Sequence, residues 1–328
     1  MAGLRILDDY DVLLADLDGT VFKGDVVIDG AREALAGRDV VYITNNASRA
    51  PGQVADHLRH LDFAVEDTQV LTSAQAACTL ADEILTEKSV PVSGRRAYVV
   101  GARSFRELAT EAGFDVVDSA DEQPHVVLHG HSPENGWAEL SEAALSIRAG
   151  AEYVASNLDT TLPSERGFLV GNGSLVAAVV SATGVTPRSA GKPLPEMFRR
   201  AVTTSGASRP LAVGDRLDTD IAGGNAAGID TLCVLTGVAT HTELLHTEFR
   251  PTFIAANLRD HLGGWSARLE RDRVVVSSGE TGPLPVMSAE ALAAAAPVVW
   301  REIDEGRDPG VVAAVGDDAA AAALEGWR

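Results

Sequence analysis

Val12-Leu13-Leu14-Ala15-Asp16-Leu17-Asp18-Gly19-Thr20-Val21 is the stretch that decides the fold. Its first four residues are apolar and read as a buried strand. Gly19 then breaks the strand. A buried strand that ends in two carboxylates and a glycine sets both acids in the crevice at its carboxyl end, where open α/β sheets bind ligands. Asp16 and Asp18 are two apart, so a regular strand puts both on one face. Like charges that close are costly unless a cation or a shared proton relieves them. A divalent metal does so, and hard oxygen ligands favour magnesium. Taken alone, the same four letters also read as an exposed Asp-Gly turn. The rest of the chain decides between the two.

Working outward, Gly30 to Leu35 reads as a helix and Val40 to Ile43 as a second buried strand. That strand ends in Thr44-Asn45-Asn46. A hydroxyl and successive backbone amides at a strand end can grip phosphate oxygens. Asn46 or Ser48 can equally cap the next helix. Gln53–Leu61 reads as a helix, and Val70-Leu71-Thr72-Ser73 leads into another at Ala74–Leu85. Strand and helix in alternation predict a parallel sheet.

A polar break at Glu87–Arg95 precedes a fresh α/β alternation. Strands are expected at Ala97–Gly101, His125–Leu128 and Tyr153–Ser156, and helices at Ser104–Ala112, Trp137–Ala149 and Leu175–Thr183. Gly171-Asn172-Gly173 lacks the third glycine and acidic partner of a dinucleotide loop, so it reads as a packing turn. The first domain resumes near Pro187. Gly191-Lys192-Pro193 sits in a loop before a helix at Glu196–Ser205, and Lys192 there is a candidate phosphate ligand. Leu211–Val213 is a short strand running into Gly214-Asp215-Arg216-Leu217-Asp218-Thr219-Asp220-Ile221. Strands are expected again at Thr231–Leu235 and Phe253–Ile254. Beyond Gly263 the composition shifts. A strand is expected at Arg273–Val276 and a helix at Ser288–Glu305, with Ser288 as its N-cap and Glu290 in its first turn. Val311–Val315 and an Ala-rich helix close the chain. Deletion of this tail is expected to spare the chemistry and alter stability, assembly or regulation.

The 328 residues suffice for two domains and a small extra piece. With 45% hydrophobic and 23% charged residues the chain is globular. A net charge of -20 disfavours nucleic acid or an anionic membrane as partner, and makes an anionic substrate depend on a local cation. The two cysteines, Cys78 and Cys233, have no metal-ligand spacing and read as reduced thiols of a cytoplasmic protein. Asp8, Asp9 and Asp11 stand where a signal peptide would need its apolar core.

Asp16/Asp18, Thr44, Lys192 and Asp215/Asp220 thus come from strand ends or an adjacent loop on both sides of the inserted segment. These parts suit phosphoryl transfer. One carboxylate can attack phosphorus. A second can protonate the leaving alkoxide and then activate water. A lysine and a hydroxyl can steady the equatorial oxygens while magnesium neutralises the rest.

Asp16-x-Asp18-Gly19-Thr20-Val21, Ile43-Thr44-Asn45-Asn46, Gly191-Lys192-Pro193 and Val213-Gly214-Asp215-x-x-x-Thr219-Asp220-Ile221 resemble, in order, the four motifs of the haloacid dehalogenase-like hydrolases. The Thr-Asn-Asn form and the late lysine resemble the class IIA branch, which includes sugar-phosphate, p-nitrophenyl-phosphate, phosphoglycolate and glycerol-phosphate phosphatases. The likeness spans roughly residues 10 to 260. It implies an α/β fold: a Rossmann-like parallel-sheet core (1–75 and 186–262), an inserted C2-type α/β cap (76–185) and a small C-terminal α/β extension (263–328). It implies Asp16 as nucleophile and magnesium ligand. Asp18 would be the general acid/base, its backbone carbonyl on the metal. Thr44, Lys192 and the amides of Asn45 and Asn46 would hold the phosphoryl group, and Asp215 would be a further metal carboxylate. Asp220, in preference to Asp218, would orient the metal site or the lysine. Asp18 also separates phosphatases from dehalogenases, which lack an acid there. The loop Asn157–Pro163 resembles the cap loop that faces the core, with Asp159 as its substrate-binding candidate; it reads equally as a turn between strands.

The function so implied is magnesium-dependent hydrolysis of a small phosphorylated metabolite, glycerol 3-phosphate or 2-phosphoglycolate, through an aspartyl phosphate. A phosphotransferase using an acceptor other than water is one alternative; a silent phosphometabolite-binding regulator is another. A homodimer through the cap or tail is left open.

Overall fold

The computed structural model describes residues 5–164 and 166–327. Its elements begin with β1 (Val12–Ala15), β2 (Phe22–Lys23), β3 (Val26–Val27), α1 (Ala31–Leu35), β4 (Val40–Thr44), α2 (Pro51–His60), β5 (Val70–Thr72) and α3 (Ser73–Glu87). There follow β6 (Arg96–Val100), α4 (Arg103–Glu111), β7 (Asp115–Val117), β8 (Val126–His129), α5 (Trp137–Arg148), β9 (Glu152–Ala155), β10 (Thr161–Ser164), β11 (Gly167–Val170), α6 (Asn172–Thr183) and β12 (Arg188–Ser189). Next come α7 (Glu196–Ser205), β13 (Pro210–Gly214), α8 (Ala222–Ala227), β14 (Asp230–Val234), α9 (His241–His246) and β15 (Phe253–Ala255). The last elements are β16 (Ser266–Glu270), β17 (Arg273–Ser277), α10 (Leu284–Asp304), β18 (Val311–Ala314) and α11 (Asp318–Glu325).

The chain divides into two compact units. One takes the residues up to Tyr42, Leu61–Ala64 and those from Val202 onward; the other takes Ile43–His60 and Val65–Ala201. The main sheet has the order β15-β14-β13-β1-β4-β5. β1 lies between β13 and β4, parallel to both, with Ala15 opposite Val213 and Tyr42. All four residues of β1 are buried. A central parallel strand is covered on both faces, which is why Val12-Leu13-Leu14-Ala15 shows no alternation. β14 and β15 continue the parallel run, so Phe253–Ala255 is the edge strand expected there. β2 pairs antiparallel with β3 across a turn at Gly24-Asp25.

The second unit carries its own parallel sheet, in the order β12-β9-β8-β6-β7. β7 was missed because three residues, Asp115-Val116-Val117, are too few to show a period. β10 and β11 form a separate antiparallel hairpin, so the second half of the Asn157–Pro163 loop is strand.

The tail is an α/β piece: an antiparallel β16–β17 hairpin with β18 parallel to β17, plus α10 and α11. It does not stand apart from its unit. Val274, Ala291, Leu292 and Ala295 bury into one cluster with Ile221, Cys233, Leu244 and Ile254. Helix α10 begins earlier than its Ser288 signal suggested. Pro283 caps it and prolines mark the start, where their fixed φ suits a first helical turn. Ser288 is instead buried within the helix and donates to the Ala323 carbonyl at 2.8 Å. Glu290 lies beyond the first turn and accepts from the Leu262 amide at 2.9 Å. Asp317 does cap α11, accepting from the Ala320 amide. Because core and tail share one cluster, Leu292→Ala is expected to cost about 2–5 kcal/mol of stability. Denaturant unfolding followed by tryptophan fluorescence and by circular dichroism should shift together. Loss of a separate tail transition alone would contradict the shared core.

Candidate active site

In the first unit the tips of β1 and β13 bring three carboxylates together. Oxygens of Asp16, Asp215 and Asp220 lie within 4.8 Å of one another. Asp215 is fully buried and Asp220 is 2% exposed. The backbone makes room for them. The Asp16 amide donates to the Val213 carbonyl at 2.8 Å, which fixes the β1 tip beside β13. Gly19 has φ +92, and a Cβ there would meet Asp215 Oδ2 at 2.5 Å. Gly237 lies closer still: its Cβ would meet the same oxygen at 1.8 Å. Neither site admits a side chain, so the carboxylate of Asp215 sits against bare backbone. Its Oδ2 accepts from the Val238 amide at 2.7 Å. The Thr20 hydroxyl approaches Oδ1 at 3.5 Å, and Thr236 donates to the Gly19 carbonyl at 2.6 Å.

After β13 the chain makes one wide helical turn at Leu217–Ile221, in which the Ile221 amide reaches the Arg216 carbonyl. Such widened turns re-aim side chains. Here the turn sends Asp220 inward, where Oδ2 accepts from the Arg216 amide at 3.1 Å. Asp218 faces the other way and pairs with the Arg216 guanidinium, whose hydrogen bonds hold its carboxyl below the usual range. Of the two acids weighed from sequence, Asp220 is the one in the cluster. Asp18 lies outside it and is exposed, on the loop between Leu17 and Gly19. Burial, then the nearby Asp215 and Asp220, push the Cys233 thiol up, so it stays protonated.

Three carboxylates this close repel one another, and a bound divalent cation relieves that repulsion. The donor set is oxygen only, which fits a hard divalent ion such as magnesium.

In the second unit the tip of β4 and the Lys192 loop meet. Lys192 is 4% exposed, and its Nζ donates to the Ile43 carbonyl at 3.3 Å. The side chain of Asn45 clasps the lysine backbone from both sides. Its Oδ1 accepts from the Lys192 amide at 2.9 Å, and its Nδ2 donates to the Lys192 carbonyl at 3.1 Å. Nδ2 also donates to Asp159 Oδ2 at 3.1 Å. Thr44 Oγ1 accepts from the Asn46 amide at 3.1 Å, so the hydroxyl proton is what Thr44 can give to a ligand. Asn46 Oδ1 accepts from the amide and hydroxyl of Ser48, a local turn that ends short of α2, so the expected helix cap is not what these bonds make. Thr44, Asn45, Lys192 and Asp159 are therefore one cluster.

Two things were missed from sequence. Asn45 uses its side chain, where only its backbone amide was expected to serve. Asn157, read only as the first residue of the Asn157–Pro163 loop, donates to the Asn45 carbonyl at 2.8 Å. Gly171 precedes α6 and Gly173 lies in its first turn, so the expected packing turn is a helix start; Cβ atoms there would strike the carbonyls of Asp159 at 2.3 Å and Leu158 at 2.1 Å. They press on the loop that carries Asp159.

A parallel sheet that ends in clustered acids, in a chain that elsewhere buries a lysine beside a threonine, is the layout of a metal-assisted hydrolase of the α/β class. Residues 13–115 match the haloacid dehalogenase-like hydrolase family and 189–261 a HAD-hydrolase-like family. A D-glycerol 3-phosphate phosphatase of Mycobacterium tuberculosis is 40% identical over 98% of this chain and 95% of its own. The structure of a glycerol phosphate phosphatase from that organism in complex with magnesium aligns with TM-score 0.84 at 39% identity, over 98% of each chain. An acid sugar phosphatase of Staphylococcus epidermidis is 35% identical over 74% of this chain and 93% of its own. The chain belongs to the haloacid dehalogenase-like hydrolases, in their class IIA branch.

Proposed function

We propose that the protein is a magnesium-dependent phosphatase acting on a small phosphorylated metabolite, with glycerol 3-phosphate as the substrate. The observation that carries the reaction is the convergence of Asp16, Asp215 and Asp220 at the tips of β1 and β13. Support for the substrate is likeness over nearly the whole chain to the mycobacterial D-glycerol 3-phosphate phosphatase. The chemistry of 2-phosphoglycolate would be the same, and substrate comparison separates the two.

Asp16, Asp215 and the Asp18 carbonyl would hold the ion, with Asp220 beside them. Bound magnesium supplies positive charge to the phosphoryl oxygens. The Asp16 carboxylate attacks phosphorus, and the ester P–O bond breaks. The Asp18 carboxyl gives its proton to the leaving alkoxide. Water then attacks the phosphorus of the aspartyl phosphate and passes a proton to Asp18. Inorganic phosphate leaves and Asp16 is restored. Lys192 and the Thr44 hydroxyl, with the amides of Asn45 and Asn46, bind the equatorial oxygens. The exposure of Asp18 suits a group that must meet both the leaving group and water.

The core and cap are proposed to divide near residue 75 and at Ala190. The second boundary moves there because Arg188–Ser189 pair with β9 of the inserted sheet. Among the described residues no helix is long and apolar enough to cross a membrane. The proposed compartment is the cytoplasm, which suits two buried, free cysteines.

The test is phosphate release from glycerol 3-phosphate, 2-phosphoglycolate and p-nitrophenyl phosphate, with magnesium and with chelator. Release should require magnesium and be most efficient, by kcat/KM, for glycerol 3-phosphate. Phosphate release undiminished by chelator would refute the metal assignment. No release from any ester would favour a binding protein.

A further inference from the structure

Asn157 lies outside every role assigned so far, yet its side chain and its carbonyl are bonded to the Lys192 cluster or its supports. It is 4% exposed. Its Nδ2 donates to the Asn45 carbonyl at 2.8 Å. Its Oδ1 accepts from the Asp159 amide at 3.2 Å. Its own carbonyl accepts from Asn172 Nδ2 at 2.8 Å. The Asn45 carbonyl takes a second donor, the Ser73 hydroxyl, at 2.7 Å. Asn45 in turn clasps the backbone of Lys192 and reaches Asp159. One buried asparagine therefore ties the β4 tip, the Asp159 loop and, through Asn45, the lysine.

We propose that Asn157 is a positioning residue for phosphoryl transfer, setting the Asn45 clasp and so the place of Lys192. The inference rests on the reading of Lys192 as a ligand of the phosphoryl group.

Three features separate this from ordinary packing. First, the approach is tight. A Cβ on Gly191, next to Lys192, would lie 2.5 Å from the Ser156 carbonyl and 2.8 Å from Asn45 Oδ1. The lysine loop is thus pressed onto the strand end that carries Asn157, and small shifts of that end move it directly. Second, the network is committed in polarity. Asn157 must donate to a carbonyl on one side and accept from an amide on the other, which no apolar residue and no carboxylate can do. Third, the scaffold behind it is buried and uncharged. Asn172, which braces Asn157, also lies 3.4 Å from the His129 carbonyl. His129 is bonded to the Tyr153 hydroxyl at 2.8 Å, and burial pushes its imidazole down to about 4, so it stays neutral. Groups that orient a reactive side chain through one intermediary change rates by about 10- to 100-fold when removed, as outer partners of metal ligands do.

The experiment uses the full chain with p-nitrophenyl phosphate and magnesium, and inorganic phosphate as a competitive inhibitor. Asn157→Ala and Asn157→Asp should lower kcat by about 10- to 100-fold and weaken phosphate inhibition, with KM moved less than kcat. Asn157→Asp keeps the shape and loses the donor, so it should be no better than Asn157→Ala. If Asn157 acts through Asn45, adding Asn157→Ala to Asn45→Ala should cost less than about a further 3-fold. Ser73→Ala, which removes the other donor to the same carbonyl, should lower kcat in the same direction and reports even if Asn157 variants do not fold. Lys192→Met is run alongside. If Lys192→Met keeps its rate, the phosphoryl-ligand reading fails. If Lys192→Met loses it while folded Asn157 and Ser73 variants keep theirs, this inference alone fails. Full additivity with Asn45→Ala also overturns it.

Discussion

Asp16→Asn is expected to reduce phosphate release by about four orders of magnitude or more, the scale on which loss of a nucleophile falls. The change keeps the side chain's size and its place beside β13, so the sheet is undisturbed. It removes the oxygen nucleophile and one of the three clustered carboxylates. An amide cannot form the acyl phosphate, and neither Asp215 nor Asp220 can substitute. Asp215 is held by the Val238 amide and Asp220 by the Arg216 amide. Steady-state phosphate release with magnesium checks it. Activity retained in Asp16→Asn would move the nucleophile elsewhere.

Lys192→Met is expected to lower kcat/KM by about 100- to 1,000-fold, the scale of one preorganised donor to a developing anion. Lys192 is 4% exposed, and its backbone is clasped on both sides by Asn45. Its ammonium is thus fixed before substrate arrives, and no reorganisation is needed during the reaction. Methionine keeps most of the stem and removes the charge. Removing one charge from a buried site costs up to about 3–5 kcal/mol, so folding is checked beside the rates. Lys192→Arg should not rescue it, because a planar fork does not fit a site shaped for a compact ammonium. Rates for the two variants with unchanged circular dichroism decide the point. Near wild-type kcat/KM in Lys192→Met would remove the lysine from the site.

The strand tips were readable because the signal is local. An apolar run followed by Asp16-Leu17-Asp18-Gly19, or by Gly214-Asp215, needs only its neighbours to be read. Asp220 was separable from Asp218 by motif alone; the wide turn that buries one and exposes the other is tertiary. The Asn45 clasp has no local sign, because its partner Lys192 is 147 residues away. Asn157 is hidden likewise: its bond to Asn45 spans 112 residues. The tail misled for a related reason. Ser288 has the chemistry of a cap, but Pro283 starts the helix earlier and Ser288 is consumed by the Ala323 carbonyl. Composition beyond Gly263 marked the α/β extension but not how it packs: Leu292 is buried with Leu244 in the core of its unit. Packing between distant segments leaves no mark on composition.

The central claim is that the phosphoryl group passes through Asp16. Enzyme turning over glycerol 3-phosphate with magnesium, quenched in acid and reduced with borohydride, converts an acyl phosphate to the corresponding alcohol. Mass spectrometry of its peptides should then find homoserine at position 16 in wild type and none in Asp16→Asn. Homoserine at another aspartate, or phosphate released with position 16 unmodified throughout, would contradict it.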